Sequence, residues 1–263
     1  MKRYTLIIAT LFVAGAVMSQ DLTSKKGELY LPEAGDYAIG IDAAPFLNYV
    51  GNLIGGADGN VAPTFGPHPL VQGAGPIGHS IYGKMMIDAT SAYRANVRLG
   101  IQSITTKTIV ADLATAGETV EDKTKVGVTG VTIGLAKEFR RGNTRLQGVY
   151  GAGAQITYNS MKTTFEYGNT LENMGSQLVE QKTGSTFGLI VAGFAGVEYF
   201  FAPKMSVGGE YGFGIAFNST GNGSTTTDVF DAESVEVETG GGSAFGLDTG
   251  VIGQSNLMMT FYF

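Results

Sequence analysis

The sequence predicts an all-β fold, an eight-stranded antiparallel up-and-down transmembrane β-barrel with short periplasmic turns and long extracellular loops. Three observations lead there. The chain ends Leu257-Met258-Met259-Thr260-Phe261-Tyr262-Phe263, where large apolar side chains alternate and the last residue is aromatic. Alternate residues of a strand share a face, so Leu257, Met259, Phe261 and Phe263 line one side. Such a terminal strand is expected to pair with the first and close the sheet. At the other end, Met1 to Ser19 reads as a secretory leader. Lys2 and Arg3 precede an apolar stretch, Leu6 to Val17, and Val17-Met18-Ser19 forms a cleavage site that leaves Gln20 first. That stretch is shorter than the ~20 residues a spanning helix needs. The third observation is a regular alternation of short and long connections.

Composition narrows the function classes. No other segment is apolar for long enough to be a spanning helix, and only helices and closed barrels satisfy their backbone in lipid. There is no cysteine, which removes disulfides, thiolate metal sites and cysteine nucleophiles. Loss of Lys2 and Arg3 takes the net charge from −6 to about −8, so nucleic acid is not an expected partner. The 40 glycines show no G-x-y period, which excludes collagen.

Each strand has its own pattern. Asp36 to Tyr49 is the first, with Tyr37, Ile39 and Ile41 outward and Ala38, Gly40 and Asp42 inward. Ile81 to Asp88 is the second. Arg94 to Ile104 is the third, with Val97, Leu99 and Ile101 outward and Arg94, Asn96, Arg98 and Gln102 inward. Lys125 to Phe139 and Thr144 to Asn159 are the fourth and fifth, the latter with Leu146, Tyr150, Ile156 and Tyr158 outward. Phe187 to Phe201 is the sixth, with Val191 and Val197 outward and Ile190, Phe194 and Phe200 breaking the pattern inward. Lys204 to Asn218 is the clearest, with Tyr211, Phe213 and Ile215 outward and Glu210, Gly212 and Gly214 inward. Gln254 to Phe263 is the eighth. A soluble barrel would put the apolar face inside. A face of Gly, Ala, Ser and Glu fills no dry core but suits the narrow interior of an eight-stranded membrane barrel.

Residues 88–93, 140–143 and 202–203 are the short connections. Residues 51–79, 106–123, 161–184 and 219–253 are the long ones, rich in Gly, Ser, Thr and Asn. That asymmetry places both termini in the periplasm of a bacterial outer membrane. The division is a leader at 1–19, a short periplasmic segment at 20–35 and the barrel at 36–263.

The run Gly35-Asp36-Tyr37-Ala38-Ile39-Gly40-Ile41-Asp42-Ala43-Ala44-Pro45-Phe46-Leu47-Asn48-Tyr49-Val50-Gly51-Asn52 resembles the first strand of small outer-membrane barrels of the Bacteroidota type, a porin-like barrel family. Ala92-Tyr93-Arg94 and the Phe261-Tyr262-Phe263 ending resemble the same group. The resemblance implies a location and a fold, not an activity. It makes Phe261, Tyr262 and Phe263 the expected C-terminal signal for the barrel-assembly machinery. The chain has no Trp, so the interfacial girdle must be built from Tyr and Phe, a departure from the pattern.

Asp42, Lys84, Arg94, Arg98, Glu138, Arg145, Glu198 and Glu210 are the expected lumen charges, four of each sign. Buried charges must be paired, so they read as a salt-bridged plug; the sharper alternative is an ion or proton pathway. Val97, Leu99, Ile101, Val191, Val197, Tyr211, Phe213, Ile215, Leu257, Met259 and Phe261 are the expected lipid-facing side chains. His68 and His79, with Asp58, share the first long loop. Catalysis needs a base held in reach of its target, and a Gly/Pro-rich loop shows no sign of such fixing. Gly151-Ala152-Gly153 and Gly212-Phe213-Gly214 open no helix and fail as phosphate loops. Asp228, Asp231, Glu233, Glu236 and Glu238 fit no calcium-loop spacing. The chain is therefore expected to be non-enzymatic, without cofactor or metal, with a structural or surface-interaction role toward envelope or extracellular partners through its loops. A narrow porin-like channel and, behind it, a rim enzyme at His79 are the alternatives.

Overall fold

The computed structural model of the chain describes residues 22–43, 81–248 and 256–263. The expected leader, the end of the expected first strand at 44–49, the whole first long connection with Asp58, His68 and His79, and residues 249–255 lie outside the described residues. Eleven strands are described: β1 (Tyr37–Asp42), β2 (Ile81–Asp88), β3 (Ser91–Ala111), β4 (Thr119–Arg141), β5 (Leu146–Glu166), β6 (Ser176–Ala202), β7 (Met205–Thr220), β8 (Gly223–Val229), β9 (Val235–Thr239), β10 (Gly242–Asp248) and β11 (Asn256–Tyr262). A single helical turn, α1 (Leu171–Met174), precedes β6.

Eight strands close a ring. Neighbours pair antiparallel in the order β1-β2-β3-β4-β5-β6-β7-β11, and β11 returns to β1 with Ala38 opposite Tyr262 and Ile41 opposite Met259. The ring has no free edge along these pairings, which is what closure achieves for an antiparallel sheet. Side-chain alternation follows the register. Tyr37, Ile39, Val97, Leu99, Ile101, Val191, Val197, Tyr211 and Phe213 are exposed on the outer face, and Ile215, Leu257, Met259 and Phe261 are half-exposed there; Ala38, Lys84, Glu138, Glu198, Glu210, Met258, Thr260 and Tyr262 are buried inside.

The connections at 106–123, 161–184 and 219–253 differ from expectation, because most of their residues are strand. β3 and β4 stay paired out to Ala111 opposite Thr119, and β5 and β6 out to Thr164 opposite Glu180. β8 continues the line of β7 along β6, and β9 and β10 return along β8 and β7. β10 lies along the ring wall, with Phe245 opposite Phe217 and Leu247 opposite Ile215; the outer parts of β3 to β6, with β8 and β9, stand beyond the ring as an extended sheet. Both of its faces are accessible, so no apolar alternation marks it; its Thr and Val content suits strand. At the joint, three strands approach too closely for side chains. A Cβ on Gly184 would lie 1.8 Å from the Gly221 carbonyl oxygen, one on Gly223 2.6 Å from that of Lys182, and one on Gly241 2.1 Å from that of Thr220.

The short turns seal the opposite end. The Pro203-Lys204 turn holds Lys204 at φ 57°, with proline in a suitable turn position. Lys204 is fixed from three sides: its N–H donates to the Tyr30 carbonyl (3.2 Å), its carbonyl accepts from Tyr262 N–H (2.8 Å), and its ammonium pairs with Asp36. Residues 22–36 thus fold across the turn end. Tyr30 and Leu31 pack against an apolar floor of Ala38, Met86, Ala92, Phe200 and Tyr262.

Candidate functional site: a charged plug inside an apolar belt

Directly above that floor the inward positions of five strands bring six charges together. Lys84 comes from β2, Arg94 from β3, Glu138 and Arg140 from β4, Glu198 from β6 and Glu210 from β7. Lys84 Nζ lies 3.1 Å from Glu138 and 3.4 Å from Glu198. Arg140 Nε donates to Glu138 at 2.8 Å, and its Nη2 reaches Glu198 and the Tyr262 hydroxyl. Arg94 Nε pairs with Glu138, while its Nη1 donates to Glu210 at 2.8 Å and its Nη2 takes the other Glu210 oxygen. Glu198 also accepts from Tyr262 Oη (2.9 Å) and Ser206 Oγ.

Two of these contacts cross the full lumen. β3 and β7 stand four places apart in either direction around the ring, as do β2 and β6. The Arg94–Glu210 and Lys84–Glu198 pairs therefore span a diameter. An eight-stranded barrel leaves an interior that side chains fill, and here the filling is ionic. Three cations meet three carboxylates, and every carboxylate oxygen accepts from a cation, Tyr262 or Ser206. Aromatic faces complete the shell. The Arg94 guanidinium lies 4.4 Å from the Phe194 ring centroid, and that of Arg140 5.3 Å from that of Tyr262. Phe194, and Phe200 at 5.7 Å from the Arg140 guanidinium, are two of the residues that broke the alternation of the sixth strand. Tyr82 and Thr260 join hydroxyls at 2.6 Å across the lumen wall. Among the described residues, Arg140 Nη1 is the one buried side-chain donor atom without a partner.

The expected lumen charges divide in this geometry. Lys84, Arg94, Glu138, Glu198 and Glu210 come together. Arg98 stands further along β3, half-buried. Arg145 lies before β5 at the turn end, its guanidinium 3.6 Å from the Tyr30 ring centroid, so it ties the N-terminal segment to the barrel base. Asp42 lies in β1, paired in register with Met258; its side chain is outside the described set. Arg140 is the cluster member that the sequence reading misses, placed there in a short turn. Its signal is parity: it stands two residues beyond Glu138, on the same face of one strand.

The outer surface is the second element. Exposed large apolar side chains encircle the ring. Tyr37, Tyr93, Phe139, Tyr150 and Phe201 mark its turn-side margin; Tyr158, Phe187, Phe217 and Phe245 mark the far one. On β3 the belt runs from Tyr93 to Ile101, about 26 Å along the strand. Beyond it the outer face turns to hydroxyls: Ser103, Thr105, Thr129, Ser160 and Ser185. No group of three or more potential metal-ligating side chains occurs among the described residues, and no described helix is long and apolar enough to cross a membrane. No family model and no curated protein matches the chain.

Proposed function

We propose that this chain is a non-enzymatic outer-membrane β-barrel of a bacterial envelope, akin to the small Bacteroidota-type barrels it resembles. Its termini face the periplasm, its lumen is shut, and its extended hairpins form a surface for envelope or extracellular partners. The observation that carries this reading is the pairing of a closed ring with an inside-out distribution: six charges within, a belt of large apolar side chains without. Water would charge heavily for that belt, at about 25 cal/mol per Å² of apolar surface; lipid removes the cost. The secretory leader and the aromatic C-terminal strand support the same location. Outer-membrane lipid and the assembly machinery are the partners this implies.

The lumen favours a structural barrel over the alternative of a narrow channel. A pore needs a continuous water column, whereas the Arg94–Glu210 and Lys84–Glu198 pairs lie across it. The test is planar-bilayer recording of the mature protein, with heat-dependent migration in SDS gels as the check on folding. A folded barrel with little or no steady conductance is the expected result. A large, stable wild-type conductance would move the function to passive transport, and recovery as a soluble periplasmic protein would end the membrane reading.

A further inference from the structure

The outer face of the extended sheet carries a row of lysines that the plug and the belt leave unused. Lys107 on β3, Lys123 and Lys125 on β4, Lys162 on β5 and Lys182 on β6 all point outward, on the belt's side of the sheet. Their placement is unfavourable in itself. Lys107 stands directly opposite Lys123, and Lys162 directly opposite Lys182; like charges directly opposite destabilise a sheet. Glutamates offset both pairs. Glu121 lies 2.9 Å from Lys107 and 4.0 Å from Lys123, Glu166 lies 3.8 Å from Lys123, and Glu180 pairs with both Lys162 and Lys182. Lys125, between the two pairs, has no ion-pair partner among the described residues.

The row follows the rim of the belt. Lys107 is six residues beyond Ile101, Lys125 six beyond Val131 and Lys162 four beyond Tyr158. Four to six residues is about 13–20 Å along a strand, or about 10–15 Å along the axis of a barrel tilted by ~40°. Lysine stems can lie along a surface and carry the ammonium down. Beneath them, on β3 to β6, the outer face holds Ser103, Thr105, Gly127, Thr129, Ser160 and Ser185 and no acidic side chain. Glu121 and Glu166 stand on the far side of Lys123 and Lys162, away from the belt. The order outward from the belt on β4 and β5 is therefore apolar, hydroxyl, cationic, anionic, and on β3 Ile109 stands opposite Glu121 beyond Lys107.

We infer that this lysine row binds the phosphate groups of anionic lipid headgroups in the leaflet that surrounds the barrel. The inference rests on the membrane reading above. Lipid phosphates would separate the opposed lysines electrostatically and supply the anion that Lys125 lacks. Polybasic surfaces gain from each lysine near an anionic leaflet and weaken with salt.

The test uses the mature barrel folded in phosphatidylcholine vesicles with a trace of spin-labelled phosphatidic acid or spin-labelled phosphatidylcholine. The motionally restricted signal gives the preference for each lipid at the barrel wall. Wild type should enrich phosphatidic acid several-fold over phosphatidylcholine and lose that preference in high salt. Lys125→Gln/Lys162→Gln/Lys182→Gln should reduce the enrichment to near unity, while Glu121→Gln/Glu180→Gln should raise it, so the outcome does not depend on one variant folding. Equal enrichment in wild type and the triple variant overturns the site. So does loss of enrichment on adding millimolar inorganic phosphate at constant ionic strength, because free phosphate is then the ligand. A triple variant altered only in oligomeric mass would assign the lysines to self-association and also overturn it. If the protein shows no heat-dependent gel shift and no insertion, the membrane reading itself has failed, and that result is distinct from an inserted barrel without lipid preference.

Discussion

Lys84 and Glu138 inside the ring approach to 3.1 Å; Lys107 and Glu121 on the extended sheet approach to 2.9 Å. The chemistry and distance are nearly the same, and the environments are opposite. The inner side chains are 1% and 0% exposed, the outer ones 59% and 35%. Inside, each ion has lost its hydration, and the pair is held only because Arg94, Arg140, Glu198 and Glu210 complete the set. Outside, water solvates both partners and salt screens them. Removing one partner is therefore severe in the first case, since it strands buried charge, and slight in the second. Ion-pair distance says little about stability until burial is known.

The comparison breaks first at Glu138. Glu138→Ala leaves Lys84, Arg94 and Arg140 facing one another and should cost about 3–5 kcal/mol, read as a drop in the urea midpoint of the folded barrel in micelles. A loss below about 1 kcal/mol would mean that the plug is hydrated and that the two regions do not differ as described.

The belt offers the next contrast, between a charge buried with partners and one placed in lipid without them. Leu99→Arg or Phe213→Arg should cost roughly 2–4 kcal/mol if near the midplane, measured as reduced folding into vesicles. Gly212→Ser, on the inner face, should cost much less. The reverse order would turn the barrel inside out and return it to the soluble class.

On the extended sheet, Lys107→Ala should change stability by no more than about 1 kcal/mol and leave the gel shift unchanged. A double-mutant cycle with Glu121→Ala should give a small coupling that vanishes in high salt. A large coupling would show that this sheet is covered in the native membrane.

The smallest effect is a pH dependence. Hydrogen bonds from Lys162 and Lys182 hold the Glu180 carboxyl below the ordinary carboxylate range. A depressed carboxyl stabilises the folded state above its unfolded pKa, roughly 4.3, and that contribution is lost as pH falls through the lower, folded value. Protection of the β5–β6 hairpin amides, measured against the intrinsic exchange rate at each pH, should fall below about pH 4, less so in Glu180→Gln. Because Glu180 lies on the extended sheet and touches none of the lumen charges, the plug should not respond; an equal response at the ring would mean that the two regions are coupled.

Much of this was legible from residue order, for a physical reason. A strand between lipid-like and closed surroundings must alternate with period two, so Val97, Leu99, Ile101, Tyr211 and Phe213 declared a face, and Lys84, Arg94, Glu138, Glu198 and Glu210 declared the other. Alternation also marked Leu257, Met259 and Phe261 as a closing strand. It failed where both faces meet the same solvent. Residues 106–111, 176–184 and 223–229 carry no apolar stripe, so they read as loop although the chain pairs there. It failed again at strand ends, where Arg140 was lost to a turn and Arg145 was drawn into the lumen.

Sequence alone therefore determined which side chains share a face, because that depends only on backbone geometry. Which of them meet depends on ring closure and register, and those arise from hydrogen bonds between residues far apart in the chain. Only the tertiary structure set Arg94 against Glu210 and Lys84 against Glu198 across the lumen, and only it placed Lys107 opposite Lys123 and Lys162 opposite Lys182 on the outer face. One set of charges became a buried plug in which every ion has a counter-ion and Arg140 Nη1 alone lacks a partner among the described residues, and the other became a solvated row, because closing the ring shields one side of the same strands from water and leaves the other open.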